Sequence, residues 1–257
     1  MAARPVSRSR HPAFTLVELL VVIGIIALLV SILLPVLGKA RAQASAVACQ
    51  SNMRQLAAAF LLFAHDHGGC LPGGESDRPI EWQNDWAIGT YDCPSVGARP
   101  DLFPMAGTLW PYVNSVGAYR CPALHFHQYN SGDGSNGVFD YSSPRIFMGA
   151  KLVLIPQQCQ MKSGTYVENV ATPMLLEESP AWALNNVWTE PSWCSTDRLS
   201  YIHRMGTHIA GIDGHVYWYK PPAHVTPAAN LVHIRCPSGK TMTMSKANSR
   251  WGDWNTW

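Results

Sequence analysis

Charge is scarce in this chain: Asp, Glu, Lys and Arg make up 14% of the residues and balance to a net +2. With no long basic run, the electrostatic footprint of a nucleic-acid binder is missing. No Cys-x-x-Cys step occurs among the seven cysteines, which removes support for a zinc ribbon or a thioredoxin-like site. Gly-x-Ser-x-Gly and His-Glu-x-x-His are also absent, and with them the marks of a hydrolase elbow and a zincin. Tryptophan (10), proline (19) and glycine (20) are plentiful. That mix suits a loop-rich, partly β domain better than a helical bundle.

One stretch is different. From Phe14 to Leu37 the chain is apolar but for Glu18. That is about 24 residues, or roughly 36 Å of helix, against a bilayer core of about 30 Å. A basic leader with Arg4, Arg8 and Arg10 precedes it. The positive-inside rule keeps the leader cytoplasmic, and the long domain that follows translocates. Three ordinary readings compete. A secretory signal would use the Ala42-x-Ala44 or Ala44-x-Ala46 steps, but its apolar core is shorter. A plain anchor leaves Glu18 unexplained. A buried core helix would show an amphipathic stripe, which this run lacks. Carboxylates inside membrane helices are costly and have partners. No basic side chain lies within the run, but an α-amino group freed by cleavage before Phe14 would serve.

Phe14-Thr15-Leu16-Val17-Glu18-Leu19 behind a basic leader resembles the N-terminus of type IV prepilins and type II secretion pseudopilins. The resemblance implies cleavage between Ala13 and Phe14 by a prepilin peptidase that also methylates the new amine. It makes Glu18, fifth in the mature chain, the assembly carboxylate that pairs with a neighbouring subunit's amine. Ala13 stands where the family usually has Gly. The implied partners are other pilin or pseudopilin subunits, the peptidase/methylase, an inner-membrane assembly platform and the bilayer. The implied location is a single-pass span in the cytoplasmic (inner) membrane, N-terminus inside, with a periplasmic or extracytoplasmic head, or a cell-surface filament.

The spacing predicts one helix from about Phe14 to His65, with apolar positions at Val47, Leu56, Phe60 and Phe63. Pro35 is expected to bend or open it, and Gly68-Gly69 to end it. The domain reading is a leader (1–13), an assembly helix (14–37), an amphipathic continuation (38–67) and a head (68–257). Asp213-Gly214 between two β-prone runs, 208–212 and 215–219, predicts a hairpin with a type I′ turn. Further strands are expected at 152–155, 165–167 and 174–177, with a short helix over 108–113. The fold class is α+β: a long helix packed on an antiparallel sheet.

Cys49-x-x-Asn52-x-x-Gln55, the Gly68…Pro72 exit and His203-x9-Asp213-Gly214 resemble a pilin-like group abundant in planctomycetes and related bacteria. Cys49, His203, Asp213 and Gly214 thus form a motif of unassigned role. His203, Asp197 and Asp213 are candidate metal ligands, but turn-forming and hydrogen-bonding roles are the simpler expectation, and no cofactor is expected. Calcium would need more oxygen ligands than Asp197 and Asp213 supply. Glu177-Glu178 fails as a paired acid/base, because adjacent strand residues face opposite ways. An odd cysteine count leaves at least one thiol unpaired or paired between chains. Cys93, Cys121 and Cys236, each before a proline, read as loop or strand-end residues open to disulfide formation. No catalytic residues are assigned. The main reading is a filament subunit; the alternative is a membrane-anchored glycan-binding module using Trp82, Trp86, Trp110, Trp182, Trp188 and Trp193.

Overall fold

The computed structural model describes residues 15–73, 86, 103–124, 140–144, 147, 149–155, 157–163, 166–177, 192–193, 199–200, 202–220, 233–235 and 241–243. Two compact units divide the chain, Met1–Gln43 and Ala44–Trp257.

Helix α1 runs from Leu16 to Asp66, 51 residues, and continues through Pro35 without interruption. Its start is a reciprocal cap. The Thr15 hydroxyl accepts from the Glu18 amide at 3.2 Å, and the Glu18 carboxylate accepts from the Thr15 amide at 2.9 Å. This Thr-x-x-Glu arrangement satisfies amides that a helix N-terminus otherwise leaves open. At the other end, Gly68 and Gly69 take positive φ, and the Gly69 amide reaches back to the Ala64 carbonyl at 2.7 Å. A side chain would strain that left-handed exit.

The two parts of α1 differ in burial. Every large apolar side chain from Leu16 to Leu37 is 43–74% exposed. Beyond it, Cys49, Met53, Leu56, Ala57, Phe60 and Ala64 are buried, at the 3–4-residue spacing of one helix face. Leu56 and Phe60 lie on that face as expected and Phe63 is partly buried against it. Val47 instead points outward, 53% exposed.

Among the described residues the head holds two sheets. The first is built from β1 (Tyr141–Pro144), β4 (Pro173–Glu177), β5 (Ser192–Trp193), β6 (Thr207–Gly211) and β7 (Val216–Tyr219), in the order β5-β1-β4-β6-β7. All its pairs are antiparallel except β1 with β5. The second is built from β2 (Gln158–Ser163), β3 (Tyr166–Ala171), β8 (His233–Arg235) and β9 (Thr241–Thr243), in the order β3-β2-β8-β9. Strands β4 and β6 are buried along their whole length. Alternation sends Leu175 and Ala210 into the core that contains the α1 face. It sends Leu176 and Ile209 into a second cluster with Cys159, Leu199 and Tyr219. The central strands are therefore covered on both faces, and Met174-Leu175-Leu176 of β4 reads as an unbroken apolar run. Short helices α2 (Phe103–Ala106) and α3 (Trp110–Val113) precede a 3-10 turn at Val116–Tyr119.

Two local expectations need correction. Residues 152–155 are not a strand: Leu152–Leu154 form a 3-10 turn. Its amides are satisfied by Gly69 and by the local Lys151 and Leu152 carbonyls, and Val153 is 85% exposed. Leu152 and Ile155 pack on the core while Val153 and Leu154 face out, a spacing that the 3-10 turn satisfies and the period of two of a strand does not. The hairpin exists, but its turn is not type I′. Gly211 and His215 still share a ladder bond, 2.8 Å, and the Gly214 amide donates to Gly211 at 2.9 Å. Only Gly214 takes positive φ; Asp213 does not. The result is a three-residue loop, Ile212-Asp213-Gly214, with a left-handed glycine last. Asp213 stays in a conformation ordinary for an L residue because its carboxylate accepts from the His215 amide at 3.0 Å, as Asp does in turns.

Candidate functional site

The motif residues of α1 grip the segment that faces them. Cys49, Asn52 and Gln55 are spaced to share one helix face. The Asn52 amide donates to the Gly117 and Arg120 carbonyls at 3.0 and 2.8 Å. Gln55 donates to the Val113 carbonyl at 3.3 Å. Together they fix the segment between α3 and Cys121, and that segment delivers Cys121 to Cys49. Asn52→Ala removes two bonds to carbonyls and is expected to cost about 1–3 kcal/mol. A lowered urea midpoint with an unchanged slope would show it.

Four side chains converge beside this face. Cys49 Sγ donates to Glu177 Oε1 at 3.2 Å. His203 Nε2 lies 3.0 Å from Glu177 Oε1 and 3.3 Å from Cys121 Sγ. The donor atoms of all four lie within 4.8 Å of one another. Each comes from a different segment: α1, the loop after the 3-10 turn, the end of β4 and the turn before β6. Further groups hold them in place. The Tyr141 hydroxyl donates to Cys49 Sγ at 3.2 Å. Asp140 accepts from the Cys121 amide at 2.5 Å. Glu177 Oε2 accepts from Ser200 at 2.8 Å, the His208 amide at 3.3 Å and Thr207 at 3.4 Å. The Trp218 indole donates to the His203 carbonyl at 2.7 Å.

The electrostatics are those of a dry, coupled cluster. Burial opposes ionising Glu177, yet its bond to His203 and that ring's charge hold the carboxyl below its ordinary range. Burial likewise opposes charging His203, but Cys121 and Glu177 raise the imidazole to about 9. The Cys49 thiol hydrogen-bonds to Cys121, which lowers Cys121 and raises Cys49. Burial, reinforced by the His203 charge, lowers His208 to about 4. Among the described residues its Nδ1 has no hydrogen-bond partner. Burial also pushes Asp140 well above the usual carboxylate range.

Of the residues singled out in the sequence, Cys49 and His203 meet in this cluster. Asp213 and Gly214 sit in the hairpin turn away from it, Asp213 exposed. Ala13, Phe14, Asp197, Cys93 and Cys236 lie outside the described residues. Among the described residues, Cys49, Cys70 and Cys121 are free thiols. Cys121, read from the sequence as a loop cysteine, and Glu177, rejected there as an acid/base partner of Glu178, join Cys49 and His203 in the cluster. Glu177 carries a signal in the sequence: a carboxylate ending the apolar strand Met174-Leu175-Leu176 must be paired if that strand is buried. Of the candidate glycan-binding tryptophans, Trp86 is fully buried, stacked with Tyr119 at 5.9 Å, and Trp110 is partly buried against the core. Both act in packing.

At the other end of the chain, residues 8–34 match the family described as the prokaryotic N-terminal methylation motif. No curated protein matches the chain, and no solved structure does. Among the described residues one helix, α1, is long and apolar enough to cross a membrane. The chain therefore carries a pilin-type prepilin motif on a membrane-capable helix, with an α+β head.

Proposed function

We propose that this protein is a structural subunit of a type IV pilus-like or type II secretion pseudopilus filament. Its precursor inserts with the basic leader inside, is cut before Phe14 by a prepilin peptidase, and is N-methylated there. The mature chain packs into the filament through the N-terminal half of α1, with Glu18 facing a neighbour's terminal amine.

The observation that carries this reading is the methylation motif at residues 8–34 on a helix whose large apolar side chains, Leu16 to Leu37, are all exposed among the described residues. That surface needs lipid before assembly and neighbouring helices after it. A conventional secretory signal would be removed and would not need to be continuous with the helix that builds the head core.

Intact mass and N-terminal sequencing of the chain from its host's membranes test the proposal. The expected product begins at Phe14 and is about 14 Da heavier than the bare cleaved chain, the mass of one methyl group. An N-terminus after Ala44 or Ala46, or an uncut chain that keeps Arg4, Arg8 and Arg10, would overturn it.

A further inference from the structure

Two thiols, a carboxylate and an imidazole meet in the head with no face to water. Cys49 and Glu177 are 0% exposed, Cys121 1% and His203 3%. Ligands at tetrahedral angles around zinc, with bonds of about 2.0–2.3 Å, stand roughly 3.3–3.8 Å apart. Three of the six separations here, 3.0 to 3.3 Å, are slightly tighter, and the whole set lies within 4.8 Å. Small outward side-chain movements would open the centre for a cation.

The carboxylate is oriented for such a centre. Ser200, Thr207 and the His208 amide occupy Glu177 Oε2, so Oε1 alone faces the thiols and the imidazole. His203 presents Nε2 to the same point. From this convergence we propose that Cys49, Cys121, Glu177 and His203 form a four-coordinate site for a zinc-type divalent cation. Thiolate and imidazole ligands favour zinc over calcium or magnesium. Four protein ligands and burial leave no open position, so the ion is structural. Binding releases to solvent the protons held by the thiols and by His203 Nε2, and draws α1, the Cys121 loop, β4 and the turn before β6 onto one ion. A Cys121–His203 nucleophile pair is the competing chemistry, and it fails on access, since neither residue is more than 3% exposed. The site stands whether or not the chain forms filaments.

The test uses the full chain purified in detergent, equilibrated with zinc or cobalt at low micromolar concentration and freed of excess metal. The expected result is about one ion per chain. The cobalt form should show thiolate-to-metal charge-transfer absorption and intense visible bands of tetrahedral coordination. Cys49 and Cys121 should resist alkylation until a chelator is added. Cys121→Ser should weaken the charge-transfer absorption and reduce metal retention at least about tenfold, while Asp213→Asn, in the exposed turn, retains both. Exposed histidines such as His65 and His67 can hold cobalt without thiolate absorption, and that result would overturn the site. So would a chain that takes up no metal, or a Cys49–Cys121 disulfide in the peptide map. Undiminished thiolate absorption in Cys121→Ser would do the same. If Cys121→Ser fails to fold, the wild-type cobalt spectrum and chelator-dependent alkylation decide alone.

Discussion

Glu18→Ala is expected to leave a processed, membrane-inserted chain that no longer enters filaments. Glu18 is the lone charge in the run from Phe14 to Leu37, on a part of α1 whose apolar side chains are all exposed in the isolated chain. In a filament that surface becomes dry, and a carboxylate there needs a partner. Glu18 and Thr15 also cap the helix reciprocally, so Ala would remove the cap together with the proposed charge partner. Glu18→Gln separates them. The amide oxygen of Gln can still accept from the Thr15 amide, as Gln does in this kind of cap, but it carries no charge. If Glu18 neutralises a neighbour's amine, Gln and Ala should both be absent from the sheared filament fraction while membrane levels stay normal. Assembly of the Gln variant at the wild-type level would reduce Glu18 to a helix cap and remove the charge-pairing step from the proposed function.

The legible parts of this fold are those where a local pattern and the final environment agree. Helix α1 is visible because its first half is apolar all round and its second half is striped. Strands β4, β6 and β7 are visible because Met174-Leu175-Leu176, Ile209-Ala210 and Val216-Tyr217-Trp218-Tyr219 have turn residues at their borders. The failures have separate causes. Residues 152–155 carry β-prone side chains, but a tertiary bond from the Leu152 amide to the Gly69 carbonyl and local 3-10 bonds claim their backbone. Asp213-Gly214 marks the hairpin correctly, yet the Asp213 side chain selects a three-residue loop. The buried cluster is half visible. Cys49 and His203 stand out through motif spacing, whereas Cys121 looks like an ordinary Cys-Pro loop residue. Glu177 draws notice through its neighbour Glu178 and as the carboxylate that ends an apolar strand. Nothing local says that a loop cysteine, a strand-end glutamate and a turn histidine will meet a helix cysteine. That convergence is set by the pairing of β4 with β6 and by the grip of Asn52 on the Gly117–Arg120 turn.

Glu177→Ala should be the most damaging single change in the head. The carboxylate accepts from Cys49, Ser200, Thr207 and the His208 amide and pairs with His203. It does so at 0% exposure, where water cannot replace a lost bond. Truncation leaves His203 without its counter-charge and opens a cavity between α1 and β4. Removing one partner of a buried ion pair costs about 3–5 kcal/mol, a large share of the roughly 5–15 kcal/mol that holds a domain folded. The expected readout, for the full chain in detergent, is a urea midpoint lowered by that amount with little change in slope. Glu177→Gln keeps acceptors for Ser200 and the His208 amide, so it should recover part of the loss but not the pairing with His203. If the four groups also hold an ion, added zinc should raise the wild-type midpoint by mass action and leave that of Glu177→Ala nearly unmoved. A loss below about 1 kcal/mol, the range of an exposed ion pair, would mean that the cluster does not join helix to sheet. The stability of the head would then rest on the apolar contacts of Met53, Leu56 and Phe60 with the rest of the core.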